Sequence, residues 1–160
     1  MQRLLETRPS LQLFVQRAVL ALVIWPHGAQ KLLGWHGGFG FEASMDFLTN
    51  TEHVPAPLAL LVVLGESLGA LALLLGLFTR VAAFGISAIM LGAIFLVHLP
   101  HGFFMNWFGS QAGEGFEFHL LSLALSLPLM VLGGGRFALD EKLLTWFCAA
   151  RAPRVQAQLT

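Results

Sequence analysis

Two long apolar runs constrain the fold of this chain more than any other feature. Residues 58–78 contain one charged side chain, Glu66, and residues 81–99 contain no Asp, Glu, Lys or Arg. A helix needs roughly 20 apolar residues to cross the hydrocarbon core of a bilayer, and both runs have about that length. Only 11% of the 160 residues are charged, fewer than in a typical soluble domain. The sequence therefore predicts an integral membrane protein.

Two shorter apolar stretches, residues 11–26 and 116–132, flank these runs. Beside two clear spans we interpret them as further membrane-spanning helices, since a proline inside a span is tolerated when neighbouring helices bind the freed carbonyl. Residues 140–147 have an amphipathic pattern, which predicts a short helix lying at the membrane interface. We expect an all-α integral membrane four-helix bundle with this interfacial C-terminal helix, residues 1–160 forming one domain.

Basic residues are distributed unevenly and predict the orientation. With four spans, both termini share one side of the membrane with the turn at residues 78–81. The opposite side has only Lys31, and Arg17 lies within the first span. Because Lys and Arg accumulate on the cytoplasmic side, we expect both termini to be cytoplasmic and all six histidines to face outward. The basic residues on the terminal side are Arg3, Arg8, Arg80, Arg136, Lys142, Arg151 and Arg154.

Charge and cysteine content exclude two classes of function. The net charge is zero, so the chain has no basic surface for nucleic acid, and the lipid bilayer is the expected partner. The single cysteine, Cys148, excludes an intrachain disulfide and dithiol chemistry within the chain.

Glu66 is the residue that most strongly suggests a site, because a carboxylate inside a span is costly unless it is paired or functional. It lies about 12 Å from the outer end of its span at 1.5 Å per residue, and Arg17 lies at a similar depth below Pro26. The sequence predicts a structural ion pair between Arg17 and Glu66. A proton-handling or ligand-binding role for Glu66 stays open beside it.

Other polar residues cluster around the outer mouth of the predicted bundle. If the helix continues past Pro26, the spacing i, i+3, i+4 places three candidate substrate-binding residues on one face. Glu66, His98 and Glu117 are the candidate catalytic residues, able to accept or relay protons. Histidines also bind transition metals, but no H-x-x-x-H or E-x-x-H spacing occurs, so no metal ligands are assigned. The candidate substrate-binding residues are His27, Gln30 and Lys31.

Several ordered motifs resemble the DoxX family of small bacterial membrane proteins. The similarity extends from about Arg17 to Leu144. It rests on HGAQKLLGW at residues 27–35, LGE at 64–66 and LGLFTR at 75–80. It continues with His98, GFF at 102–104, GFE at 115–117 and FALD at 137–140. The resemblance implies a four-helix protein of the bacterial inner membrane, with relatives linked to quinone, catechol or sulfur oxidation and to oxidative stress.

These observations lead to one main hypothesis and two alternatives. The main one is a redox-linked membrane protein, a quinone-linked oxidoreductase or a subunit of one, that binds a quinone-like or sulfur-related molecule in its outer mouth. We expect a bound quinone rather than an intrinsic cofactor, and a soluble or membrane oxidoreductase subunit as partner. Whether the chain forms a homo-oligomer stays open. The alternatives are a metal-binding protein that uses the outer histidines and a non-catalytic scaffold for a soluble oxidoreductase.

Overall fold

The computed structural model describes residues 2–151, which form helices and turns with no strand among them. The all-α class is therefore confirmed for this part of the chain, whereas Arg154, counted above, lies outside the described residues. The α-helices are α1 (Gln2–Leu5), α2 (Leu11–Leu33), α3 (Gly40–Asp46), α4 (Ala56–Leu64), α5 (Ala70–Leu75), α6 (Thr79–Ala93), α7 (Glu117–Leu132) and α8 (Leu139–Arg151).

Short π-helical segments lengthen these helices. Gly65–Gly69 joins α4 to α5, and Ile94–His98 continues α6 into the 3₁₀ turn Leu99–His101. A further π-helical segment, Phe47–Thr51, follows α3. π-helical turns are rare and occur often at functional sites. Two of the candidate residues, Glu66 and His98, lie within such segments.

Two of the resulting helices could cross a membrane. Ala56–Leu75 has 20 residues and a mean hydropathy of 2.4, and Thr79–His101 has 23 residues and a mean hydropathy of 2.2. They correspond to the predicted spans at 58–78 and 81–99. Helix α7 is apolar but shorter. That the two flanking helices also cross the membrane remains a prediction, and so does the four-span bundle.

The core lies where α2, α4–α5, α6 and α7 pack side by side, and it contains Leu20, Ile24, Leu73, Ile86 and Leu129. Large apolar side chains also cover the outward faces of the same helices, among them Leu22, Phe84, Phe95, Leu121 and Val131. Helices that are apolar on nearly all sides are typical of a lipid environment. We call the end with Leu33, Ala56, His98 and Glu117 the histidine end, and the end with Leu11, Leu75, Thr79 and Leu132 the arginine end.

Two arginines bind the carboxyl ends of helices at the arginine end. Arg17 Nη1 donates to the carbonyl oxygens of Leu73 at 2.7 Å and Leu74 at 2.6 Å, in the last turns of α5. Arg80 Nη1 donates in the same way to two carbonyls near the end of α7, at 3.1 and 2.6 Å. The last carbonyls of a helix lack partners within it and form the negative end of its dipole. Each guanidinium therefore satisfies and neutralises one helix terminus.

The predicted ion pair between Arg17 and Glu66 is wrong. Arg17 is buried and also donates from Nε to the carbonyl oxygen of Gly134 at 3.0 Å. The prediction placed the end of the first helix at Pro26, but α2 continues to Leu33. Those seven residues add about 10 Å of helix and shift the register between α2 and α4–α5. Arg17 consequently lies level with the end of α5 instead of with Glu66.

Asp140 connects the C-terminal helix to the rest of the fold. Its carboxylate, which is buried, accepts from the backbone N–H of Phe78 at 2.6 Å and of Thr79 at 2.9 Å. A carboxylate at this position caps the first turn of α6. The FALD and LFTR motifs are thus two halves of one structural contact. Helix α8 corresponds to the helix predicted at 140–147, and its location at a membrane interface remains a prediction.

Candidate functional site

Glu66 forms an ion pair with Lys31 at the histidine end. The Lys31 Nζ lies 2.5 Å from Glu66 Oε2, and the two side chains are 28% and 9% exposed, respectively. Lys31 belongs to the last turn of α2, and Glu66 lies in the π-helical segment between α4 and α5. The carboxylate therefore has a cationic partner, as its burial requires, but the partner comes from the face predicted to bind substrate.

Gly28 sets the register that brings these two side chains together. A Cβ atom at residue 28 would lie 2.3 Å from the carbonyl carbon and oxygen of Glu66. Only glycine permits the backbones of α2 and the π-helical segment to approach this closely. Since Lys31 is three residues further along α2, its side chain lies beside Glu66. Within the HGAQK motif, Gly28 therefore allows the close packing and Lys31 provides the charge beside Glu66.

His98 and His119 lie next to each other at the same end. Their ring centroids are 4.1 Å apart, with an interplanar angle of 41°. His98 Nδ1 lies 2.8 Å from the carbonyl oxygen of Glu114. A carbonyl oxygen can only accept, so we assign the proton of neutral His98 to Nδ1, which leaves the Nε2 lone pair free.

His119 is the site residue that sequence reasoning missed. It is 6% exposed, and its Nδ1 is buried without a hydrogen-bond partner. The sequence suggested Glu117, two residues earlier in α7, as the candidate at this end. The spacing of His119, Ser122, Ser126 and Leu129, all buried on one face of α7, is the signal that identifies the inward residue.

His27 shares its helix face with Lys31, as the spacing predicted for a helix that continues past Pro26. Its ring centroid lies 5.8 Å from that of Phe118, which in turn lies 5.6 Å from that of His119. His27 also lies within electrostatic range of Lys31, Glu66 and His119. It is therefore part of the same polar group, on its exposed side.

Gln30 and Glu117, two further candidates, hold loops in place. Gln30 Nε2 donates to the carbonyl oxygen of His36 at 3.3 Å. Glu117 Oε1 accepts from the backbone N–H of Met105 and from Trp107 Nε1, both at 3.1 Å. The structure thus links the Lys31–Glu66 pair to the His98–His119 pair through His27, while the polar atoms of Gln30 and Glu117 contact the adjacent loops. We call these five linked residues the polar cluster.

Two observations bear on rival sites. Within residues 2–151, no three His, Cys, Asp or Glu side chains are arranged to hold a metal ion. A surface crevice of about 830 Å³ lies at the arginine end, between the start of α2 and the end of α7, with Arg8, Gln12 and Pro128 in its lining. This crevice is distant from the polar cluster and offers a competing location for an apolar ligand.

Comparison with known proteins supports the family resemblance. The DoxX family model matches residues 12–99, more than half of the chain. An uncharacterized protein of Haemophilus influenzae is 34% identical over 142 residues, which cover 89% of this chain and 97% of the relative. No solved structure matches the chain. The matched region contains Lys31, Glu66 and His98, and together these similarities show that the chain belongs to the DoxX family of membrane proteins.

Proposed function

We propose that this DoxX protein binds a small quinone-like molecule at its histidine end and takes part in a redox process in the membrane. The observation that carries the proposal is the Lys31–Glu66 pair, largely buried and linked through His27 to two further imidazoles in a chain that is otherwise mostly apolar. Charged groups in such surroundings are costly, and they are characteristic of ligand or proton sites.

The polar cluster provides the hydrogen-bonding groups that a quinone requires. An ammonium has three N–H donors, and Glu66 accepts one, so Lys31 has donors left for a ligand carbonyl oxygen. His98 Nε2 is an acceptor for a ligand hydroxyl. When bound, such a molecule supplies the electron chemistry itself. The protein contributes orientation, hydrogen bonds and an apolar surrounding.

The charge balance favours a neutral ligand over an anion. Lys31 and Glu66 compensate each other, so the cluster has no net positive charge to attract a sulfur oxyanion. A flat, neutral ring also suits the neighbouring ring of Phe118. Between the two ligand classes raised by the sequence, these features support the quinone-like one.

A partner protein is the source of electrons that fits this chain. Its single cysteine, Cys148, is exposed and cannot form a dithiol within one chain. We therefore propose that a soluble or membrane oxidoreductase subunit supplies or removes electrons. In this role the DoxX chain is the quinone-binding component of a pair.

Quinone titration of the purified protein in lipid nanodiscs tests the proposal. Quinones quench indole fluorescence, and Trp25 and Trp35 lie 5.9 Å apart at the histidine end. We expect saturable quenching by a short-chain quinone, with an affinity lowered at least tenfold in Lys31→Met, since a hydrogen bond from a charged donor is lost. The matched control, Lys142→Met, changes an exposed lysine of α8 and should bind like the wild type. Quenching that never saturates, or equal affinities in Lys31→Met and the control, would contradict the proposal.

We also propose that the histidine end faces the periplasm and the arginine end the cytoplasm of a bacterial inner membrane. The distribution of basic residues supports this orientation. Cys148 is exposed on α8, and an impermeant maleimide should label it only after the inner membrane is permeabilised. In the Cys148→Ser background, His53→Cys should be labelled in intact spheroplasts. The opposite labelling pattern would reverse the orientation.

A further inference from the structure

The adjacent imidazoles of His98 and His119 have a geometry that the binding proposal does not use. Their ring centroids are 4.1 Å apart, and His119 Nδ1 is buried with no partner among the described residues. A buried imidazole nitrogen without a partner is unfavourable. It is a position at which a hydrogen-bonding partner would be stabilising.

His98 connects this buried nitrogen to the surface. The ring is half-buried, and Nδ1 contacts the carbonyl oxygen of Glu114, which lies on the exposed loop before α7. That contact fixes the neutral tautomer and directs the basic nitrogen, Nε2, away from the loop. A proton from the solvent at the histidine end can therefore reach His98 first and the buried His119 second.

The surrounding charges limit the pair to one proton. His27 faces the pair from α2 and links it to the Lys31–Glu66 ion pair, while the carboxylates of Glu114 and Glu117 accept backbone N–H groups of the loop before α7. Lys31 and Glu66 compensate each other, and neither imidazole has a carboxylate partner among the described residues that would stabilise a second positive charge. Two cations at this separation in apolar surroundings repel strongly.

We propose that His98 and His119 form a coupled pair that binds a single exchangeable proton, taken up from the solvent at the histidine end. One imidazole becomes an imidazolium, and the total charge of the pair changes from 0 to +1. Use of this proton by a bound quinone-like ligand rests on the proposed function. The sharing of the proton does not, because it depends only on the two rings.

Histidine NMR of ¹⁵N-labelled protein in nanodiscs, without ligand, tests the pair directly. Ring ¹⁵N shifts report the protonation of each imidazole between pH 4 and pH 9. We expect the two rings to bind one proton in total, with both sets of signals changing in the same pH range. In His119→Asn, His98 should bind a full proton of its own, because no second ring competes for it. The control His53→Asn, at an exposed residue with a positive φ that asparagine tolerates, should leave the pair unchanged.

Two independent protons on the wild-type rings would overturn the proposal, even if the variants fail to fold. A second measurement separates this proposal from the binding proposal. Calorimetry in buffers of different ionisation enthalpy should show proton uptake when the quinone binds to the wild type and none in His119→Asn. Quinone binding without proton uptake in the wild type would refute the proton-supplying role alone. Failure of the quinone to bind would refute the binding proposal and leave the NMR result to decide on the pair.

Discussion

The Lys31–Glu66 pair gives the sharpest stability prediction, because the sequence suggested a different partner for Glu66. We expect Lys31→Met to lower the free energy of unfolding in detergent micelles by about 2–3 kcal/mol. Loss of one partner of a fully buried pair costs about 3–5 kcal/mol, and the 28% exposure of Lys31 reduces that figure. Glu66→Gln leaves Lys31 without its partner and should cost about 1 kcal/mol, since the ammonium can reach solvent.

The double variant separates pairing from the individual effects. In Lys31→Met/Glu66→Gln no uncompensated charge remains, so the coupling free energy should be about 1–3 kcal/mol. The same cycle on Arg17→Met and Glu66→Gln should give additive effects within about 0.5 kcal/mol. Arg17 precedes Gly28, the residue level with Glu66, by eleven positions of α2, or about 16 Å of helix.

Equilibrium unfolding by a denaturing detergent, followed by circular dichroism, measures all of these variants under one set of conditions. A coupling near zero for Lys31 and Glu66 would refute the register inferred from Gly28. A large coupling between Arg17 and Glu66 would restore the pairing that the sequence suggested. Both readouts are free energies, so neither depends on knowing the ligand.

Three further stability predictions follow from the close contacts. In thermal unfolding, Gly28→Ala should lower stability by about 1–3 kcal/mol, because its Cβ would overlap the backbone at Glu66. The control Gly85→Ala, with open space around it, should be neutral or stabilising by up to about 1 kcal/mol. Arg17→Met should cost about 3–5 kcal/mol in the same assay, and Arg136→Met, at an exposed side chain, less than about 0.5 kcal/mol; equal losses would contradict the capping role. Asp140→Ala should cost about 1–2 kcal/mol and increase hydrogen exchange in the first turn of α6, and unchanged exchange at residues 78–80 would exclude the cap.

The sequence was sufficient for the helical class and for the two longest spans because apolar length is a local property. Residues 58–78 and 81–99 predicted helices that the structure contains as Ala56–Leu75 and Thr79–His101. The continuation of α2 past Pro26 was less evident, since a proline often marks a helix boundary. That one boundary decided which basic residue lies level with Glu66.

The sequence predicted which residues belong to the candidate site better than it predicted which groups they contact. Lys31, Glu66, His27 and His98 all lie at the histidine end, but His119 could be recognised only from the face of α7 that is buried. The roles of Arg17 and Asp140 depend on carbonyl and amide groups from distant segments. Such backbone partners leave no pattern in the order of the side chains, so a sequence shows that these residues are polar and buried without showing what they bind.

Photoaffinity labelling tests the central claim, a ligand site at the histidine end, most directly. A photoactivatable quinone analogue is added to the protein in nanodiscs, and the labelled peptides are identified by mass spectrometry. We predict labelling of α2 around His27–Lys31 and of the start of α7 around His119, competed by excess unlabelled quinone. Labelling confined to the arginine-end crevice around Gln12 and Pro128, or spread evenly over the lipid-facing helices, would contradict the account.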